Sequence, residues 1–196
     1  MPILELDPSR TALVVMDYQP SSLGPLPNAD ELVARTGELL DRVRSAGAQV
    51  AHVRVGFADS DYDAVPSHSP FAAIAANEKM RTAMHADSAS TAINQRLAPL
   101  DGEITVRKTR VGPFSSTDLH QQLRGAGVDT ILLAGITTAG VVLSTVRQAA
   151  DLDYRVVVVS DACADPDTQV HETLVTKVFP RQATVLTAQE LLVALD

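Results

Sequence analysis

Two residues of opposite charge, far apart in the chain, stand at places where an acid–base pair could form. Asp17 follows the apolar run Thr11–Met16, and Lys108 ends the short run Glu103–Arg107. A carboxyl facing a buried ammonium has a pKa set by two opposed effects. The cation favours the ionised form, and loss of water disfavours it, so the balance decides between a base and an acid. A third segment, Gly135-Ile136-Thr137-Thr138-Ala139-Gly140-Val141, runs from another apolar stretch into a helix-like pattern. Its backbone amides at the helix start, near Ala139–Val141, are suited to an anionic group. Gly140 lets backbone approach a ligand closely. Arg54 and Arg110 offer guanidinium forks that match carboxylates, although each could equally serve an ordinary ion pair.

The elements that must position these residues alternate between strand and helix. Apolar runs predict strands over Thr11–Met16, Gln49–Val55, Glu103–Arg107, Asp129–Ala134, Tyr154–Ser160 and Ala183–Leu186. Helical spacing covers Ala29–Ser45, Ser116–Gly125, Gly140–Leu152, Thr168–Phe179 and Thr187–Leu195. Pro20–Pro27 reads as loop. Gly56–Ala89 is irregular, with one short helical stretch at Phe71–Met80, and a segment of that length suggests a functional loop or lid. Such alternation implies an α/β fold with a parallel sheet and helices on both faces. Ligands of these sheets sit beyond the carboxyl ends of the strands. Asp17, Lys108 and the Gly135–Val141 turn all fall there by pattern alone.

The chain has 196 residues, 45% of them hydrophobic and 20% charged, with a formal net charge of −8. These values describe one ordinary globular domain over residues 1–196. The negative balance argues against nucleic acid and anionic membranes as partners. No stretch of about 18 apolar residues is present, and the first residues lack the pattern of a secretory signal. A lone cysteine, Cys163, fits a reducing, cytoplasmic setting.

Taken together, the motifs resemble the isochorismatase-like hydrolase family. They are the strand ending in Asp17 followed by Gln19, the run Lys108-x-Arg110-x-x-x-Phe114-x-x-Thr117-Asp118-Leu119, the Gly135-Ile136-x-Thr138 turn and Asp161-Ala162-Cys163-Ala164-Asp165. The resemblance spans Thr11 to about Val185. It implies a Rossmann-like three-layer sandwich with a mostly parallel six-stranded sheet, a homo-oligomer (dimer or tetramer), and Asp17 and Lys108 as the catalytic Asp and Lys. It also implies a cis peptide at Ile136–Thr137. Most relatives carry a nucleophilic cysteine where this chain has Val141. The resemblance therefore points to a hydrolase without the thiolate route to amides.

One chemistry of the family needs no thiol: hydrolysis of a vinyl ether, begun by proton transfer to carbon. In that reading Asp17 is the general acid and Lys108 its partner. The substrate is a small anionic metabolite of the isochorismate type, bound by Arg54, Phe57, Arg110, Phe114, Ile136, Thr137, Thr138, Gly140 and Val141. The turn itself is closer to the amidase branch, so two other readings stay open. One is a retired member acting as a ligand-binding or accessory subunit; the other is a cysteine-independent amidase. Family members with a metal hold it by Asp and His after the second strand, and Val53-Arg54-Val55-Gly56-Phe57 has neither, which predicts no metal and no cofactor. Phe57, Phe71 and Phe114 are candidates for pocket wall or for core. Cys163, flanked by alanines, reads as a small buried hydrophobe, and the acidic Asp59, Asp61 and Asp63 as a solvated loop.

Overall fold

The computed structural model describes residues 5–195. Six strands form one sheet: β1 (Thr11–Met16), β2 (Gln49–Val55), β3 (Ile104–Lys108), β4 (Thr130–Ile136), β5 (Arg155–Ala164) and β6 (Thr184–Leu186). Their order is β3-β2-β1-β4-β5-β6, and every pairing is parallel. The helices are α1 (Pro20–Leu23), α2 (Ala29–Ser45), α3 (Asp59–Asp63), α4 (Ala72–Ala75), α5 (Glu78–Ala83), α6 (Leu119–Gly125), α7 (Leu143–Asp151), α8 (Thr168–Thr173) and α9 (Ala188–Ala194).

The two-residue period of β1 explains the layers. Leu13 and Val15 face one core, shared with Leu32, Leu39, Leu40 and Val43 of α2 and Leu191 of α9. Ala12, Val14 and Met16 face the other, shared with Leu119 and Leu123 of α6 and Val146 and Ala149 of α7. A sheet buried on both faces needs apolar residues at successive positions, and β1 and β4 are buried throughout. The result is a three-layer α/β sandwich whose sheet is wholly parallel. Gly135 is needed where β4 meets α7: a Cβ there would lie 3.0 Å from Val142 Cγ2 and 3.2 Å from Met16 Cβ.

Several elements differ from the sequence expectation; helix α6 begins at Leu119 rather than Ser116, and α7 at Leu143 rather than Gly140. Pro20–Leu23 is a short helix, begun by a proline at its first position. The 56–89 segment contains α3, α4 and α5, each too short to show a helical period. The helix expected over Thr168–Phe179 begins as α8, widens into a π-type turn at Leu174–Val178 and ends as a 3-10 turn. Strand β5 runs on to Ala164, past the polar Ser160 and Asp161, because an irregularity between Leu133 and Gly135 lets pairing resume at Gly135–Cys163 and Ile136–Ala164. Cys163 is thus a strand residue beside the β4 end, not a residue of the following loop.

Candidate active site

The strand order reverses direction between β1 and β4, and ligands of such sheets gather at that crevice. Asp17 stands at its edge with φ 58°, a left-handed conformation that aspartate tolerates better than most residues. Its amide donates to Val53 O at 2.9 Å, and its carbonyl accepts from the Gln19 amide at 2.8 Å, so the turn after β1 is tied on both sides. The Gln19 side chain bridges β2 and the long loop: its Nε2 donates to Val55 O and Thr91 O, and its Oε1 accepts from the Val55 amide.

Lys108 ends β3, two strands away, and pairs in register with Val55. Its side chain crosses the β2 end and places Nζ 2.9 Å from Asp17 Oδ2. Both side chains are almost wholly buried, at 3% and 6% exposure. The other carboxyl oxygen, Asp17 Oδ1, is buried with no hydrogen-bond partner among the described residues. Burial raises the Asp17 pKa and outweighs the opposing pull of Lys108, leaving it at about 6 rather than 3.8. A carboxyl poised there can give or take a proton near neutrality.

The pair opens onto a cavity of about 240 Å³ lined by Asp17, Lys108, Val55, Phe71, Val111 and the turn residues Ile136, Thr137, Gly140 and Val141. The turn contains the expected cis peptide, Ile136–Thr137. A π-type turn over Thr138–Val142 then leads into α7, a widening common at functional sites. Val141 is 2% exposed and presents an isopropyl group to the cavity. A larger open depression of about 810 Å³ lies over the 56–89 segment. Its wall comes wholly from that segment and includes no strand end, so the smaller cavity is the candidate site.

Of the residues expected to bind substrate, the structure brings Ile136, Thr137, Gly140 and Val141 to this cavity with Asp17 and Lys108. The others lie elsewhere. Arg54 Nη1 donates to Ala86 O at 2.8 Å and lines a separate depression with Ala86–Ala89. Arg110 turns to Thr109 O and Ala64 O. Phe57 is fully buried and stacks on Tyr62; it supports Phe71 edge-on, with centroids 5.4 Å apart. Phe114 packs on Tyr154 and His120. Thr138 is fully buried and bonds His171 Nδ1 at 2.8 Å. The helix-start amides also have acceptors already: Ala139 donates to Asp165 Oδ2 and Gly140 to Thr137 Oγ1.

Val55 and Val111 are wall residues that sequence reasoning missed. Val55 could have been found as the last residue of a strand flanked by the two that carry the pair; Val111 gave no signal beyond its closeness to Lys108. Asp165 and His171 were missed as supports of the turn. Cys163 is buried, and burial pushes its thiol up to about 12. Asp61 pairs with Arg107 at 2.6 Å and caps α3, so this part of the acidic loop is internally satisfied. Among the described residues no group of three His, Cys, Asp or Glu side chains could hold a metal ion, and no helix is long and apolar enough to cross a membrane.

With this geometry in view, comparison with known proteins is specific. The family model for the isochorismatase domain matches residues 11–190. The chain is 36% identical to the uncharacterized isochorismatase family protein YecD of Escherichia coli O157:H7, over 98% of this chain and all of that one. It is 31% identical to the ureidoacrylate amidohydrolase RutB of Rhizobium rhizogenes, over 81% of this chain and 72% of RutB; another relative bears the name probable isochorismatase. The solved structure of an isochorismatase family protein from Burkholderia thailandensis superposes with a TM-score of 0.79 at 31% identity, over 98% of each chain. The chain belongs to the isochorismatase family.

Proposed function

We propose that this chain is a hydrolase working by acid–base chemistry of Asp17 and Lys108, with no cysteine nucleophile, on a small anionic metabolite. Cleavage of an isochorismate-type vinyl ether is its most concrete form. The observation that carries the reading is the buried Asp17–Lys108 pair, with its carboxyl at about 6, facing a cavity in which position 141 is a valine.

Protonated Asp17 delivers its proton to the terminal carbon of the enol ether, and the ether oxygen stabilises the resulting oxocarbenium ion. Water adds to that cation, the hemiketal collapses to a ketone and an alcohol, and the proton that water loses restores the Asp17 carboxyl. Lys108 serves twice. While Asp17 is neutral, its ammonium is free to hold a substrate carboxylate; once Asp17 has given up its proton, it stabilises the carboxylate left behind. A bound carboxylate also raises the Asp17 pKa further, keeping it in the acid form until transfer.

The test is pyruvate release from isochorismate by the purified chain, with Asp17→Asn alongside. Release by the wild type, reduced at least about 100-fold in Asp17→Asn, is expected for the loss of a positioned general acid. Equal release by both removes Asp17 from the mechanism; no release by either removes this substrate. The likeness to an amidohydrolase favours a second reading, in which ionised Asp17 activates water against an amide. The pH profile separates the two. The acid route declines as pH rises through about 6, and the base route grows over the same range.

A further inference from the structure

The turn that carries Val141 is held from behind by the end of β5 and the segment that follows it. Three contacts do this. Ala164 pairs in register with Ile136 at the end of the strand extension. Asp165 Oδ2 accepts the Ala139 amide at 2.9 Å. His171 Nδ1 shares a 2.8 Å hydrogen bond with the fully buried Thr138 hydroxyl. The holding segment is itself ordered: Asp165 Oδ1 accepts the Asp167 amide, and Asp167 caps α8 by accepting the amides of Gln169 and Val170. Helix α8, whose His171 makes the contact, is therefore capped by Asp167, which is itself tied to the aspartate that holds Ala139.

These bonds reach the cavity through short covalent paths. Thr138 and Ala139 lie between Thr137 and Gly140, both lining residues, and Val141 follows directly. Thr137 Oγ1 accepts the Gly140 amide, so a shift of Ala139 moves the backbone on either side of it. Neither Asp165 nor His171 lines the cavity or touches Asp17 or Lys108 in any hydrogen bond or ion pair given by the structure. Their contacts nevertheless fix where side chain 141 stands relative to the acid–base pair. Polar groups that touch no reacting atom, yet lock the element bearing it, act on geometry alone, and misplacement of about 1 Å can cost about 100-fold in rate.

We propose that Asp165 and His171 are positioning residues that set the distance between side chain 141 and the Asp17–Lys108 pair. The proposal rests on reading the strand-end cavity as the reaction site. Its test needs no substrate. Val141→Cys places a thiol in the cavity that Lys108 also lines, and its alkylation by iodoacetamide, followed against pH, reports how close that cation lies. Cys163 supplies the control, because the unaltered chain carries only that buried thiol.

In the Val141→Cys background, His171→Asn keeps a hydrogen-bonding group where Nδ1 stood and retains the alkylation rate within about twofold. His171→Gln keeps polarity but places its amide at the Nε2 position, out of reach of Thr138. It shifts the pH midpoint of the new thiol upward by about one unit, a rate about tenfold slower below that midpoint. Thr138→Val removes the same bond from the other side and gives the same shift. Asp165→Ala, which removes the acceptor of the Ala139 amide, behaves like His171→Gln. Equal rates in the His171→Asn and His171→Gln variants overturn the proposal, even where Asp165→Ala fails to fold. A wild-type chain that hydrolyses nothing overturns the acid–base reading and leaves these thiol rates to judge the positioning role on their own.

Discussion

Replacing Lys108 by methionine keeps the length and apolar stem of the side chain and removes its charge. Asp17 then loses the cation 2.9 Å away, while the burial that raises its pKa remains. An opposite charge at such a distance lowers a carboxyl pKa by about 1–3 units. Starting from about 6, Lys108→Met therefore moves Asp17 to about 7–9. Carbon-13 NMR of aspartate-labelled protein follows this directly, with Asp17→Asn identifying the resonance. Stability carries the same signature. A carboxyl raised from 3.8 to about 6 contributes stability that is fully present below pH 3.8 and lost as pH rises through about 6. Two units correspond to about 3 kcal/mol across that window. In Lys108→Met the loss extends to higher pH, and denaturant midpoints above pH 8 fall further than those at pH 5. An Asp17 that titrates at or below 6 in this variant would refute the view that burial, opposed by Lys108, sets its pKa.

The opposite end of β3 from Lys108 has an acid-sensitive counterpart of opposite sign. Burial works against ionisation of Glu103, yet Arg44, the Leu100 amide and His52 together hold its carboxyl at about 2. This stability is present above pH 4.5 and lost as pH falls toward 2, and Glu103→Gln lowers the unfolding free energy at neutral pH by about 1–3 kcal/mol, read from urea midpoints. Cys163, with its thiol pushed to about 12, should resist iodoacetamide in the native chain and react on unfolding; mass spectrometry showing rapid native modification would contradict its burial. Gly135→Ala inserts a methyl group 3.0 Å from Val142 and 3.2 Å from Met16, and should cost about 1–3 kcal/mol in thermal unfolding.

Strands bounded by abrupt changes of polarity were legible to the residue: Thr11–Met16 and Gln49–Val55 end where expected, as does the amphipathic helix Ala29–Ser45. Asp17 and Lys108 were legible as strand-end residues because a parallel sheet forces all its carboxyl ends to one side. Side-chain direction was not. Arg54 and Arg110 have the right chemistry for a carboxylate, but each satisfies backbone carbonyls left open by the irregular 56–89 segment. The fate of such a guanidinium depends on loop geometry that no period encodes. Val55 and Val111 were missed for a different reason, since a wall valine and a core valine read alike, and only the place of Val55 at a strand end sets it apart. The β5 extension was hidden by Ser160 and Asp161, whose polarity suggested an end. Each has a partner outside the ladder: Ser160 Oγ donates to Leu186 O, and Asp161 accepts the Ala188 amide.

The valine at position 141 and the raised carboxyl at position 17 line the same cavity. A thiolate route asks Asp17 to be ionised, so that it can take the thiol proton. An acid route asks it to hold a proton of its own, and loss of hydration pushes it that way. Five apolar side chains, Val55, Phe71, Val111, Ile136 and Val141, line the cavity with the pair and offer no hydrogen bond to Asp17 Oδ1. An isopropyl group at position 141 supplies no donor to the cavity. On the proposed reading, a valine at 141 adds to the apolar wall around the carboxyl. Burial then outweighs Lys108, and the pair favours giving a proton over taking one.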